Sequence, residues 1–234
     1  MAAFFFDVDD TLYDLCRPYQ RAVHEIFCGR YDSLIDQLFA RSRVHSDALF
    51  REYCSGLMSA EEYYLLRNQK TFEDCGVLID GETALAIDTL YKEFQKELAV
   101  SGTIRGLLQK LAESEALCGI ISNGKSETQW KKIQTLRLTD FFSPDRIIVS
   151  GDVGCQKPDR EIFDLAAQRF ALNPKDAWYI GDTFENDVAG AALAGWNTIW
   201  MNRRWRQKPA HAVSPVFEVH SEEEMAALVN ELLQ

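Results

Sequence analysis

The stretch FFFDVDDT, residues 4–11, decides the fold of this chain. Three phenylalanines lead directly into Asp7, Val8 and Asp9. A short, wholly apolar run is typical of a strand that is buried on both faces. Side chains alternate along an extended chain, so Asp7 and Asp9 project from the same side. Open α/β sheets form their functional sites at the carboxyl ends of strands. This stretch therefore predicts a first strand followed by a functional site. The alternative is a plain acidic turn after the strand.

Further apolar runs follow after about residue 102 and alternate with amphipathic stretches. The strand runs are LCGII (117–121), RIIV (146–149), AWYIG (177–181), NTIWM (197–201) and VFEV (216–219). The helical patterns include 126–137, 159–170, 187–194 and 222–233. This alternation predicts the α/β class, with a Rossmann-like, doubly wound parallel sheet and the FFF strand in its middle.

The stretch between the first strand and the others has a purely helical pattern. Ser59 and Glu62 have the spacing of a capping box ahead of one helix, and Gly76 is placed to end it. We therefore expect an inserted, all-helical unit of four helices. The predicted domains are a core from residues 1–16 and 101–234 and an inserted helical domain from residues 17–100.

Polar residues follow the ends of the later strands as well. LCGII leads into Ser122 and Asn123, AWYIG leads into Asp182 and then Asp187, and Lys157 precedes a proline that suits the first turn of a helix. Considered alone, each of these polar residues has a simpler explanation, as part of a turn, as a helix cap or as a surface lysine. Because polar residues occur at every expected strand end, we predict that they form one site.

The charges of these residues indicate the chemistry. If Asp7, Asp9, Asp182 and Asp187 converge, each close pair of carboxylates costs about 4 kcal/mol at an effective dielectric constant of 20. Such a group needs a cation, and oxygen ligands favour Mg²⁺ over zinc. With Lys157 and nearby hydroxyls, the site suits a phosphoryl group, and a carboxylate there can act as a nucleophile.

Composition limits the partners and the location. The net charge of -11 disfavours binding to nucleic acid or to anionic membranes. Six scattered cysteines without a C-x-x-C pair favour free thiols over a zinc site, and the first apolar run is too short for a signal peptide. We therefore expect a cytoplasmic protein, a monomer with a dimer as the alternative, acting on a small molecule.

A single basic cluster stands out in this acidic chain. It consists of Arg203, Arg204, Arg206 and Lys208. Its composition favours a solvated loop, with contact to an anionic substrate as the alternative.

With these motifs in order, the chain resembles the haloacid dehalogenase-like hydrolases from its first strand to its last. FFFDVDDTL resembles their nucleophile motif, LCGIISNG their second motif, CQKPD their third and YIGDTFENDVAGA their acidic fourth. The inserted helices resemble the helical cap of that family. The resemblance implies a Mg²⁺-dependent phosphatase that hydrolyses a small phosphorylated metabolite, of nucleoside monophosphate or sugar phosphate type, through an aspartyl-phosphate.

The same resemblance assigns roles to the motif residues. Asp7 would be the nucleophile and Asp9 the general acid and base. The implied phosphate-binding residues are Thr11, which would also steady the nucleophile loop, and Ser122, Asn123 and Lys157. The implied Mg²⁺ ligands are Asp7, Asp9 through its carbonyl, Asp182 and Asp187.

Two arginines of the helical insertion are candidates for contacts with the substrate. Arg17 lies near the predicted junction, and Arg67 follows a run of tyrosines and leucines. A planar guanidinium suits an anionic or hydroxyl-rich group. The alternative for Arg67 is a surface ion pair with a glutamate of the same unit.

Other functions remain open within this fold. A haloacid dehalogenase needs neither an acid at Asp9 nor a metal, so Asp9 and Asp182 argue against it. A phosphosugar mutase is disfavoured because DDTL lacks a glycine after Asp9. A non-catalytic binding module is disfavoured because no motif residue is missing.

Overall fold

The computed structural model describes residues 2–210, 213 and 215–233. The chain forms two compact units, one from Met1–Asp14 and Ala99–Gln234 and the other from Leu15–Leu98. Each junction lies two residues earlier in the chain than the sequence analysis expects.

The smaller unit is built from helices. They are α1 (Cys16–Phe27), α2 (Ile35–Cys54), α3 (Ala60–Asp74) and α4 (Gly81–Gln95). The predicted capping box of α3 is present, because the Ser59 hydroxyl accepts from the Glu62 amide and the Glu62 carboxylate accepts from the Ser59 amide. The chain leaves α3 through Gly76, which has a φ of 75°. Aromatic contacts between helices, such as Tyr19 with Tyr91 at 5.8 Å between ring centroids, fill the interior of the unit.

The larger unit contains one sheet of six parallel strands. They are β1 (Ala3–Phe6), β2 (Leu117–Ser122), β3 (Ile147–Val149), β4 (Ala177–Gly181), β5 (Asn197–Met201) and β6 (Phe217–Val219). Their order is β3-β2-β1-β4-β5-β6, so the first strand lies in the middle of the sheet as predicted. The α/β, doubly wound prediction is confirmed.

The helices of the larger unit lie between these strands in the sequence, except for the last, which follows β6. They are α5 (Gly102–Glu113), α6 (Ser126–Thr135), α7 (Ser150–Val153), α8 (Arg160–Arg169), α9 (Gly190–Leu193) and α10 (Glu222–Leu232). The three phenylalanines of β1 are fully buried. The Phe5 ring packs edge-on against Trp196 at 5.3 Å between centroids. This apolar packing explains why the first strand needs no polar face.

Two further features bear on the sequence-based expectations. Among the described residues, no helix is both long and apolar enough to span a membrane. All six cysteines are free thiols.

Candidate active site

The site forms where β1, β2 and β4 end. The Asp7 amide still donates to the Ile180 carbonyl at 2.8 Å, which extends the sheet by one residue and fixes the start of the loop. The buried Asp7 carboxylate accepts from Lys157 Nζ at 2.7 Å. The same ammonium group donates to Asp187 at 2.6 Å and to the Tyr179 hydroxyl at 2.8 Å. Asp7, Tyr179 and Asp187 thus meet at one buried cation.

Three carboxylates lie together at this point. Oxygen atoms of Asp7, Asp182 and Asp187 are within 4.8 Å of one another, and all three residues are buried. An all-oxygen group of this kind is suited to a hard divalent cation such as Mg²⁺. Asp182 also accepts from the Arg206 guanidinium at 3.0 Å.

The electrostatics of the group favour an added positive charge. Burial raises the pKa of Asp7 to about 8, against the opposing effect of Lys157. Burial also raises the pKa of Asp187. Burial alone would lower the pKa of Lys157, but Asp187 and Asp7 hold it well above its usual range, so the lysine stays charged. A divalent cation beside Asp7 and Asp187 would oppose the effect of burial and lower the pKa of both carboxyl groups.

Local backbone geometry brings Asp187 close to the strand end. Residues 187–194 were expected to form a helix, but the structure shows a wide π-helical turn over Phe184–Ala189 before α9 begins. The Thr183 amide donates to the Asp187 carboxylate at 2.8 Å, and the Asp187 amide donates back to the Thr183 carbonyl. A Cβ on Gly181 would lie 2.3 Å from the Asp187 carboxyl carbon, so only glycine at that position allows this approach.

Asn123 contacts the segment that carries Lys157. Its side-chain amide binds the backbone of Lys157 on both sides, donating to the carbonyl at 2.8 Å and accepting from the amide at 2.9 Å, and a contact with phosphate stays a prediction. These bonds keep Lys157 outside a helix, and α8 accordingly begins at Arg160 instead of at the proline after Lys157. Asn123 thus places the lysine at the site.

Two other predicted phosphate ligands retain unused hydrogen-bonding capacity. The hydroxyls of Thr11 and Ser122 are buried, and neither has a hydrogen-bond partner among the described residues. Unpaired buried hydroxyls are costly, and a ligand oxygen would satisfy them.

Asp9 makes a separate set of contacts. Its carboxylate is not part of the three-carboxylate group, and it accepts from Lys132 Nζ at 2.6 Å through both oxygens. Gln129 donates to it at 3.2 Å, and the Tyr13 hydroxyl donates to it as well. These three partners are not expected from the sequence, although Gln129 and Lys132 are three residues apart on α6 and so share a face of that helix.

The basic cluster is not the solvated loop that the sequence favours. Arg203 donates to the backbone carbonyls of Asp10 and Thr11 and pairs with Glu222. Arg204 pairs with the carboxylates of Asp10 and Asp14, and Arg206 pairs with Asp182. Only Lys208 is an exposed side chain. The expectation fails because the acidic residues that attract these arginines lie far away in the sequence.

The two candidate arginines of the helical unit have different environments. Arg17 is exposed in the first turn of α1. Arg67 is 7 % exposed, and its guanidinium donates to Asp88 at 2.7 Å inside the unit, among tyrosine rings. The surface pair with a glutamate is therefore wrong. The observed contacts give Arg67 a structural role, and a contact with substrate stays a prediction.

We expect Arg67→Ala to lower the free energy of unfolding by about 3 kcal/mol, because removing one partner of a buried ion pair leaves the other charge poorly compensated. Among the residues that the structure describes, the ion-pair partner left to Asp88 would be Lys92, whose side chain is 47% exposed. Denaturant unfolding measures the change, and Arg160→Ala, which breaks an exposed pair with Asp164, is the matched control. Equal stability of the two variants would contradict the structural role.

Comparison with known proteins agrees with this geometry. A profile of the haloacid dehalogenase-like hydrolases matches residues 1–195. YfnB of Bacillus subtilis, named as a HAD-hydrolase, is 28% identical over 228 residues, covering 96% of this chain and 94% of its own. The crystal structure of YfnB bound to magnesium has a TM-score of 0.69 at 26% identity and covers 98% of each chain. The glyceraldehyde 3-phosphate phosphatase of Pyrococcus abyssi is 30% identical, covering 84% of this chain and 79% of its own.

The match extends over most of the chain and includes every strand and helix that supplies a residue to the three-carboxylate group. The chain belongs to the haloacid dehalogenase-like hydrolase family.

Proposed function

We propose that this protein is a Mg²⁺-dependent phosphatase that hydrolyses a small phosphorylated metabolite, of nucleoside monophosphate or sugar phosphate type, through an aspartyl-phosphate. The observation that carries the proposal is the convergence of Asp7, Asp182 and Asp187 within 4.8 Å around a buried lysine. Similarity to a phosphatase and to a hydrolase crystallised with magnesium supports it.

The proposed reaction has two chemical steps. In the first, the Asp7 carboxylate attacks phosphorus, a carboxyl O–P bond forms, and the ester P–O bond breaks as Asp9 donates a proton to the leaving oxygen. In the second, Asp9 removes a proton from water while the water oxygen attacks phosphorus. The acyl phosphate bond then breaks, and Asp7 and inorganic phosphate are released.

The other residues of the site bind and orient the phosphoryl group. Lys157 Nζ lies 2.7 Å from the nucleophile and would bind a phosphoryl oxygen beside it. The unpaired hydroxyls of Ser122 and Thr11 would donate to further phosphoryl oxygens. Mg²⁺, held by Asp7, Asp182, Asp187 and the Asp9 carbonyl, would supply positive charge that offsets the phosphate and the carboxylates.

The presence of an acid at Asp9 supports a role at the leaving group. Its carboxylate is separate from the three-carboxylate group and belongs to the residue two positions after the nucleophile. A haloacid dehalogenase would need no such acid, because a halide leaves without a proton, so Asp9 favours an ester substrate whose oxygen must be protonated. The three donors around Asp9 stabilise its ionised form, in which it would take a proton from water in the second step.

The test is an assay of the purified protein with p-nitrophenyl phosphate in Mg²⁺, followed by a panel of phosphorylated metabolites. We expect phosphate release, and no chloride release from chloroacetate. Conversion of a sugar phosphate to an isomer without net phosphate release would instead identify a mutase. A folded protein that releases neither phosphate nor chloride and makes no isomer would point to a binding module.

A further inference from the structure

The basic cluster after β5 has no role in the reaction proposed above, yet it makes close contacts with the nucleophile loop. Arg204 Nη1 donates to the Asp10 carboxylate at 2.5 Å, and Arg204 Nη2 donates to the Asp14 carboxylate at 2.6 Å. One guanidinium thus bridges two acids four positions apart. Its side chain is 12 % exposed, so these pairs are largely shielded from solvent.

Asp10 depends on this partner more than a surface acid would. It is fully buried, and its backbone lies in the left-handed region with a φ of 60°, which a non-glycine residue rarely adopts. A buried carboxylate without a cation is strongly unfavourable. The Arg206 guanidinium is the second cation nearby, at 3.6 Å from Asp10, but it also pairs with Asp182.

Arg204 spans the turn of residues 10–14, which follows Asp7 and Asp9 directly. The Leu12 amide donates to the Val8 carbonyl at 3.1 Å, which closes the first half of the turn. Arg203 donates to the carbonyls of Asp10 and Thr11, and its pair with Glu222 ties it to α10. The orientation of Asp7 and Asp9 is thus linked to the segment after β5 through side-chain and backbone contacts of the turn.

We propose that Arg204 is a positioning residue for the reaction: by bridging Asp10 and Asp14 it holds the turn that sets the orientation of Asp7 and Asp9. The inference rests on the proposed phosphatase function. It gives Arg204 an indirect role in the reaction, exerted through Asp10 and Asp14. In-line attack on phosphorus tolerates little misplacement, and an error of about 1 Å caused by a distant mutation can cost about a hundredfold in rate.

The alternative is that Arg204 contributes only to stability. In that case its loss would lower the melting temperature, and the turnover number of the folded enzyme would not change. A positioning role predicts a fall in kcat with KM for a small ester nearly constant, because Lys157 and Ser122, which would bind the phosphoryl group, lie outside this turn.

The experiment compares Arg204→Gln with wild type and with Arg160→Gln, whose exposed pair with Asp164 lies on α8. Initial rates with p-nitrophenyl phosphate and Mg²⁺ are measured well below each melting temperature. We expect kcat of Arg204→Gln to fall about a hundredfold while KM changes less than about threefold, and Arg160→Gln to match wild type. Wild-type kcat in folded Arg204→Gln overturns the proposal.

A second pair of variants separates positioning from folding. Asp14→Asn weakens one arm of the bridge at a partly exposed residue and leaves the buried pair with Asp10 intact, so this variant should fold even if Arg204→Gln does not. We expect its kcat to fall about tenfold at unchanged KM, and wild-type kcat in this variant would also overturn the inference.

Asp10→Asn added to Arg204→Gln removes the uncompensated charge, and we expect the double variant to recover part of the kcat that Arg204→Gln loses. No recovery would contradict the bridging role.

The wild-type assay separates this inference from the function on which it depends. If wild type and Arg160→Gln release no phosphate from any ester, the proposed function fails and the inference fails with it. If wild type is active and either folded Arg204→Gln or Asp14→Asn keeps its kcat, only the inference fails.

Discussion

Asp7→Asn should reduce phosphatase turnover by at least about a thousandfold while the protein stays folded, because an amide oxygen is a poor nucleophile toward phosphorus. The substitution is nearly isosteric, and the β1 pairing that positions residue 7 uses its backbone amide, which the variant keeps.

The measurement is kcat with p-nitrophenyl phosphate, together with the melting temperature. Asp140→Asn, at an exposed carboxylate that pairs with Arg137, is the matched control and should keep wild-type activity. An Asp7→Asn enzyme that keeps more than about a tenth of the wild-type rate would show that another group attacks phosphorus.

Removal of divalent cations with excess EDTA should also abolish activity, and Mg²⁺ should restore it. The structural reason is the charge of the site: three buried carboxylates lie together, Asp7 and Asp187 share one lysine, and burial raises the pKa of both. A cation that binds the ionised carboxylates would hold Asp7 in the form that attacks phosphorus. Ca²⁺ should substitute poorly, because its looser coordination places the reacting groups less accurately.

The binding of Mg²⁺ can be measured without turnover. Mg²⁺ at a hundred times its dissociation constant should stabilise the folded protein by about 2.7 kcal/mol, seen as a higher melting temperature. The shift should disappear in Asp182→Asn. It should also weaken as the pH falls below about 8, since protons then compete for Asp7. Full activity in excess EDTA, or an equal thermal shift in Asp182→Asn, would rule out this metal site.

The strands were the most predictable part of the molecule. AWYIG and NTIWM match β4 and β5 residue for residue, because each is a short apolar run bounded by polar or turn residues. The convergence of Asp7, Asp182 and Asp187 was predictable for a related reason. In a parallel sheet, residues that follow adjacent strands meet at one edge.

The contacts around this group were harder to predict. The Arg204–Asp10 pair spans 194 positions and the Lys132–Asp9 pair spans 123, and charge spacing along one sequence carries no signal for such pairs. Arg67 was difficult because arginine is rarely buried, and its partner Asp88 belongs to another helix. The expected helix over 187–194 begins as a π-helical turn, since the side chain of Asp187 binds backbone instead of facing solvent.

The central place of β1 also has a consequence for how the chain acquires its structure. Its register pairs Ala3 with Leu117 on one side and with Ala177 on the other, so β1 lacks both of its neighbouring strands until more than a hundred further residues have been synthesised. Such distant pairings close slowly. During that interval the three phenylalanines remain available for unwanted association, and the acidic residues Asp7, Asp9 and Asp10 flank them as charged gatekeepers. The same carboxylates that we assign to chemistry would thus protect the nascent chain from aggregation.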